Sequence, residues 1–353
     1  MKYTNDQLKT INSLKKINDN IYTLHYQNDY GREEIINSSA AGMLNFYINI
    51  QKYFKANQLL VNPLRPKGGC VGITAFKENN EVIFARNFDY KETNCLIVWV
   101  DNKKGYKSLC MADFTFMGYG KKHFKIENSN KARLLAAPYT CMDGINEKGL
   151  GISIIEVKFD PTKQQTGKTK LQPTAFLRLV LDTCATIDEV TQLFNKYDMQ
   201  GILGNDYHYH VTDKNGNAAV YEFINNKLHI IKNNEKQYYP YRYMYVPSFF
   251  ISKEGNNKNK TIYAQERYEI MQKDMIEKNG IYNENEVMEL LEKCKTKHRH
   301  RWMPHTVISI WSIVYNLNNG DALVCSNNNF NDMYKINLHT PQKVEKLSKN
   351  CRY

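Results

Sequence analysis

The sequence predicts an α+β sandwich, in which helices and strands segregate rather than alternate as βαβ units. Three observations predict it. Stretches rich in β-branched and aromatic residues crowd the chain from residue 70 onward. Two helical segments then follow one another directly after Pro173, and strands return at "YHYHVTDKNGNAAVYEF" and again near the C-terminus.

Residues 1–69 read as a helical, propeptide-like leader. "LKTINSLKKIND" suits a helix, "IYTLHYQ" a short strand, and "REEIINSSAAGMLNFYINIQKYFKANQ" a second, longer helix. "VNPLRPKGG" ends it, because Pro63, Pro66 and two glycines forbid regular structure. The boundary falls just before Cys70, leaving 70–353 as the main domain.

That domain opens with "CVGITAFK" and "EVIFARNFDY" as a hairpin around "ENN". "CLIVWV", "KSLCMADF" and "GISIIEVKF" are the next strands. Pro173 suits the first turn of a helix at "TAFLRLVLDTC". Thr186, with Glu189 three residues on, is a capping box for "TIDEVTQLFNKYD". A turn at 213–216, where Asn215 and Gly216 tolerate positive φ, joins two further strands. "ENEVMELLEKC" is a late helix, and "TVISIWSIVYNL" and "ALVCSN" close the sheet.

Composition excludes several classes. At 353 residues and 42% hydrophobic content the chain can bury a core. The net charge of +12 is scattered rather than blocked, and no nucleic-acid-binding motif accompanies it, so no nucleic-acid partner is expected. The eight cysteines include no C-x-x-C pair, which argues against structural zinc, and most read as buried, inert side chains. No apolar signal-peptide core stands at the N-terminus, and "TVISIWSIVY" is about half the length of a membrane span. The expectation is a cytoplasmic protein without a transmembrane segment, and the composition is compatible with a homo-oligomer.

The hairpin carries the chemistry. With its turn centred near Glu78 and Asn79, Cys70 falls opposite Asn87, and Arg86 and Asp89 lie within one or two positions. A guanidinium stabilises a thiolate, yet no histidine stands nearby to act as base. One solution uses the chain itself. Were the Gly69–Cys70 bond cut, the freed α-amine, with a pKa of about 7.7–8, would sit beside its own thiol, where Asp89 could orient it. Gly68 and Gly69 would let the backbone strain as Cys70 attacks the preceding carbonyl. A buried cysteine beside a structural Arg/Asp pair remains the alternative.

The spacing of these residues resembles that of the choloylglycine hydrolase and acid ceramidase-like family of linear amide C–N hydrolases, enzymes with an N-terminal cysteine nucleophile. In that family an Arg and an Asp follow the Cys in a "GRNxD" strand, and here Arg86 and Asp89 follow Cys70 by sixteen and nineteen residues in "ARNFDY". "LLAAPYTCMDGINEKGLGISII" is similar to the family's "DGxNEKGL" segment, "YHVTDKNGNAAVYEF" to its "xxxDxxGxxxxxE" hairpin, and "TVISIWSIVYNL" to its "WSxVY" strand. The likeness covers most of 70–340 and implies a four-layer αββα sandwich, autoprocessing and thiol-dependent amide hydrolysis.

The resemblance implies roles one residue at a time. Cys70 would be nucleophile and, through its α-amine, base, with Arg86 close to the thiol and Asp89 holding the amine. Glu156 stands where ceramidase-like members place a Glu; an exposed strand carboxylate is its other reading. Arg267 in "AQERYEIM" looks like the family's later active-site Arg, against an ordinary surface Arg. The family's "VTNF" supplies an Asn to the oxyanion, but this chain reads "MYVPSFF", with Ser248 at that position. Asn205 is a candidate to compensate.

The expected activity is therefore hydrolysis of a small-molecule N-acyl amide through a thioester, the precursor having first cut between Gly69 and Cys70. Substrates of similar proteins are conjugated bile acids, penicillin V, N-acylethanolamines and ceramides, and Glu156 with the leader leans toward a fatty-acyl amide. The alternative is an impaired member that binds lipid or amide ligands, because of Ser248. No cofactor or metal is implied. Cys294, His298, His300 and His305 match no tetrahedral motif and read as a basic solvated loop. Asp143 and Glu147 could suggest a carboxylate pair but read first as part of a turn, and His208 and His210, alternating on one strand face, could line a substrate cleft, with packing or surface exposure as the preferred reading.

Overall fold

The computed structural model describes residues 3–39, 43–54, 69–91, 93–101, 104–119, 125–157, 161–201, 206–234, 242–255, 260–299 and 306–347. In chain order the leader holds α1 (Asn5–Asn12), β1 (Lys15–Lys16), β2 (Ile21–Tyr26), α2 (Arg32–Ser39) and α3 (Met43–Phe54). Then come β3 (Val71–Phe76), β4 (Val82–Lys91), β5 (Cys95–Val100), β6 (Ser108–Asp113), β7 (Cys141–Asn146), β8 (Gly151–Val157) and β9 (Thr169–Leu171). Two helices, α4 (Pro173–Thr183) and α5 (Ile187–Lys196), precede β10 (Tyr197–Met199), β11 (Asp206–Thr212), β12 (Ala218–Ile224), β13 (Lys227–Lys232) and β14 (Met244–Val246). The chain closes with α6 (Ile262–Glu277), α7 (Glu284–Lys293), β15 (Lys297–Arg299), β16 (Thr306–Asn316), β17 (Asp321–Ser326), β18 (Tyr334–Asn337) and β19 (Val344–Lys346).

Two sheets face each other. One runs β1-β2-β5-β6-β7-β8-β11-β12-β13, the other β14-β3-β4-β16-β17-β18-β19, with β15 pairing β16. Helix α4 covers β7 and β8 on the outside of the first sheet, and α7 covers β16 and β4 on the outside of the second. The αββα sandwich expected from the motifs is the fold. No helix among the described residues is long and apolar enough to cross a membrane.

Local chemistry agrees with the sequence at several ends. Thr186 and Glu189 form the capping box of α5, and Pro173 opens α4. Asp213 Oδ1 accepts from the backbone N–H groups of Asn215 and Asn217, and Gly216 takes φ +79°, closing the β11–β12 turn.

The segment expected as one longer helix holds α2 and α3, and 40–42 between them lie outside the described residues. The short strand expected at "IYTLHYQ" is β2, which joins the first sheet by pairing in parallel with β5 over six positions, Ile21 opposite Cys95 to Tyr26 opposite Val100. The basic segment after α7 is not wholly a loop, because 297–299 form β15; His300 and His305 lie outside the described residues.

Candidate active site

The β3–β4 hairpin sets the site, and its register differs from the expected one by a residue. Val71, not Cys70, faces Asn87, which puts Cys70 level with Phe88. Lys77 N–H donates to Glu81 O, Asn80 N–H donates to Lys77 O, and Asn80 takes φ +64°, so the 78–80 loop is centred on Asn79 rather than between Glu78 and Asn79. Because side chains alternate along a strand, Cys70, Phe88 and Arg86 share the face between the sheets, whereas Asp89 points to the helical layer.

On the inter-sheet face Arg86 is fully buried. Its Nη1 donates to Met142 O at 2.7 Å and lies 3.3 Å from Asp143 Oδ2, while its guanidinium stands 5.2 Å from the Phe88 ring centroid. Asp143 in turn accepts from Trp311 Nε1 at 2.9 Å and Tyr315 Oη at 2.7 Å. Burial raises the Asp143 pKa, and Arg86 followed by these donors offsets part of that rise. Asp143 thus lies within a strand as the counter-ion of Arg86. Glu147, by contrast, accepts from the Lys107 backbone N–H at an exposed turn, so the two carboxylates do not pair.

On the helical face Asp89 is buried and fully engaged. Its Oδ1 accepts from Ser309 Oγ at 2.6 Å; its Oδ2 lies 2.7 Å from Thr296 Oγ1 and 2.6 Å from Arg267 Nη1. Arg267 is a buried residue of α6, not a surface one. The same Nη1 lies 2.7 Å from the carbonyl oxygen of Gly69, the acyl side of the expected cut. Gly68 lies outside the described residues. Close approach distinguishes Gly69, since a Cβ there would meet Ser248 Oγ at 3.2 Å and Arg267 Nη1 at 3.4 Å.

Cys70 is buried, as are the other described cysteines. Burial pushes its thiol above the ordinary range, Arg86 pulls it back, and the Asp89 carboxylate adds to the rise. In this uncut chain the thiol is therefore protonated at neutral pH. Glu156 is half-buried on β8, level with Tyr207, and its charge is felt by both Cys70 and Tyr90. Ser248 follows β14 by two residues and flanks Gly69. Asn205 lies outside the described residues.

The structure thus gathers Cys70, Arg86, Asp89, Arg267, Ser248 and Gly69 at one end of the sandwich. Sequence reasoning missed Thr296 and Ser309, although Ser309, a polar residue inside the apolar run "TVISIWSIVY", was a signal. His210 is fully buried 2.8 Å from Thr74 Oγ1, and its pKa falls to about 3 through burial and then the charge of Arg86. Cys294 is buried with its thiol 3.7 Å from Arg267 O.

Comparison with known proteins gives consistent findings. Residues 76–331 match the family model described as acyl-coenzyme A:6-aminopenicillanic acid acyl-transferase. A penicillin V acylase of Pectobacterium atrosepticum is 26% identical over 165 residues, so the match spans 43% of this chain and 43% of that relative. Two mutants of the conjugated bile acid hydrolase from Clostridium perfringens each superpose with a TM-score of 0.51 at 15% identity, over 80% of this chain and 97% of theirs. That structural likeness concerns the fold.

Proposed function

The chain belongs to the acyl-coenzyme A:6-aminopenicillanic acid acyl-transferase family, and from that premise we propose that it is a self-processing cysteine amidase. The observation that carries this reading is the Gly69 carbonyl, which accepts from Arg267 while the Cys70 thiol stands one residue on. In the first step Sγ of Cys70 adds to the Gly69 carbonyl carbon. Arg267 Nη1 holds the oxygen as it gains negative charge. The C–N bond then breaks, the thiol proton ends on the departing nitrogen, and a thioester joins Gly69 to Cys70. Water hydrolyses the thioester, leaving a Gly69 carboxylate and a free Cys70 α-amine.

The new amine is the missing base. With a pKa of about 7.7–8 it takes the thiol proton at neutral pH, and Asp89 orients it. The thiolate then attacks the carbonyl of an N-acyl amide, the amine leaves with a proton, and water releases the acid from the thioester. Arg86 favours the thiolate, as its effect on Cys70 indicates. Penicillin V and conjugated bile acids, the substrates named for the relatives, both join an acyl group to an amine, and we assign this chain the same class. Residues 1–69 then form the smaller fragment and 70–353 the larger.

Intact mass of the wild-type chain beside Cys70→Ala tests the reading. Cleavage between Gly69 and Cys70 in the wild type alone, with release of amine from a panel of N-acyl amides, is the expected result. An uncut, inactive wild type at every pH would favour a binding protein, for which Ser248 in place of an Asn is the specific motive.

A further inference from the structure

We propose that Glu222 and His208 are positioning residues for this site, clamping a strap of residues 247–252 across the two sheets so that Ser248 stays against Gly69. The inference rests on the reading of Gly69–Cys70 as the bond to be cut.

The strap begins on one sheet and ends on the other. Val246, just before it, pairs with Gly72 of β3, two residues from the nucleophile. At its far end the backbone N–H of Ser252 donates to Glu222 Oε1 at 2.7 Å, and that of Ile251 to Oε2 at 3.3 Å. Glu222 belongs to β12 of the opposite sheet. Six residues therefore bridge the sandwich at the end where Cys70 lies, and Ser248 is the second of them.

Glu222 and His208 are both fully buried, with His208 Nε2 2.8 Å from Glu222 Oε2. A buried carboxylate is costly unless its oxygens are met by donors, and the strap's two amides are such donors. The imidazole also meets the strap, since the rings of His208 and Phe250 stand edge to face at 5.4 Å. Phe250 fills a small apolar cluster with Val157 and Ile224. One end of the strap is thus held by strand pairing and the other by one carboxylate and one aromatic plug. Nothing in the proposed chemistry uses Glu222 or His208 directly, so their effect on the site runs through the strap.

The test pairs hydrogen exchange with a mutant cycle. In a Cys70→Ala background, Glu222→Gln is expected to speed amide exchange at 251 and 252 at least about tenfold while the β12 amides stay slow. In the Cys70 chain, Glu222→Gln and Ser248→Ala should each slow the cut about tenfold, and the double variant should be no slower than the slower single. Such non-additivity separates positioning from general loss of stability. Unchanged exchange in the strap, additive losses, or wild-type cutting in folded Glu222→Gln would overturn the proposal. His208→Gln, which keeps a side-chain donor, is read the same way if Glu222→Gln does not fold. A wild type that never cuts would sink the amidase reading, and the exchange data would still judge the clamp.

Discussion

Arg267 donates from Nη1 to the carbonyl oxygen of Gly69 at 2.7 Å, although 198 residues separate them in the chain. The same nitrogen contacts Asp89, so in the proposed mechanism the group that holds the Gly69 oxygen is tied to the group that would receive the new amine. Removing that donor should cost cleavage more than folding, because Asp89 keeps the Thr296 and Ser309 hydroxyls. Arg267→Gln is expected to slow self-cleavage by about 10²- to 10³-fold. A time course of intact mass, with circular dichroism as a fold control, checks it.

The described residues of the first fifty-four are built into the sandwich. Besides the β2–β5 pairing, Tyr30 Oη donates to Asp182 Oδ2 at 2.6 Å, Tyr26 Oη to Leu135 O at 2.8 Å, and Asn18 Nδ2 to Asp332 Oδ2 at 3.1 Å. After cleavage the two fragments are expected to co-elute in native size exclusion and to separate only in denaturant. A free larger fragment that stays folded would contradict this.

Arg86 and Asp143 are both fully buried, and each is the other's counter-ion. Asp143→Ala leaves a buried guanidinium without compensation and orphans the Trp311 and Tyr315 donors. We expect a loss of about 3–5 kcal/mol in denaturant unfolding. Asp143→Asn, which keeps an acceptor for one donor, should lose less.

Asp113 and His210 should bend the pH dependence of stability in opposite directions. Burial raises Asp113 to about 6, against the donors on Thr115 and Thr93. A carboxyl raised on folding binds more protons in the native state between roughly pH 4 and 6, so its share of stability falls as pH rises through that window. His210, lowered to about 3, binds more protons unfolded, so its share is present above about pH 6.5 and is lost as pH falls toward 3. Thermal midpoints from pH 4 to 7 for Asp113→Asn and His210→Gln, each subtracted from wild type, should therefore slope with opposite signs. Parallel slopes would refute the assignment.

The sequence alone determined many of the elements and the spacing of the candidate site residues. Capping pairs such as Thr186 with Glu189, the Pro173 helix start and the Asp213–Gly216 turn are interactions within a few residues, and local rules find them. The spacing of Cys70, Arg86 and Asp89 is legible for a related reason, since a hairpin turns a short sequence interval into spatial proximity. Only the tertiary structure decided which face each group occupies. The hairpin register, with Val71 rather than Cys70 opposite Asn87, puts the thiol on the face of Arg86 between the sheets and leaves Asp89 on the other face beneath the helices. It also decided what completes the site. Thr296 and Ser309 reach Asp89 across 207 and 220 residues, and Glu222 reaches the strap across 30. Contacts of that kind arise when separate sheets and helices pack together, and no periodicity along the chain encodes them.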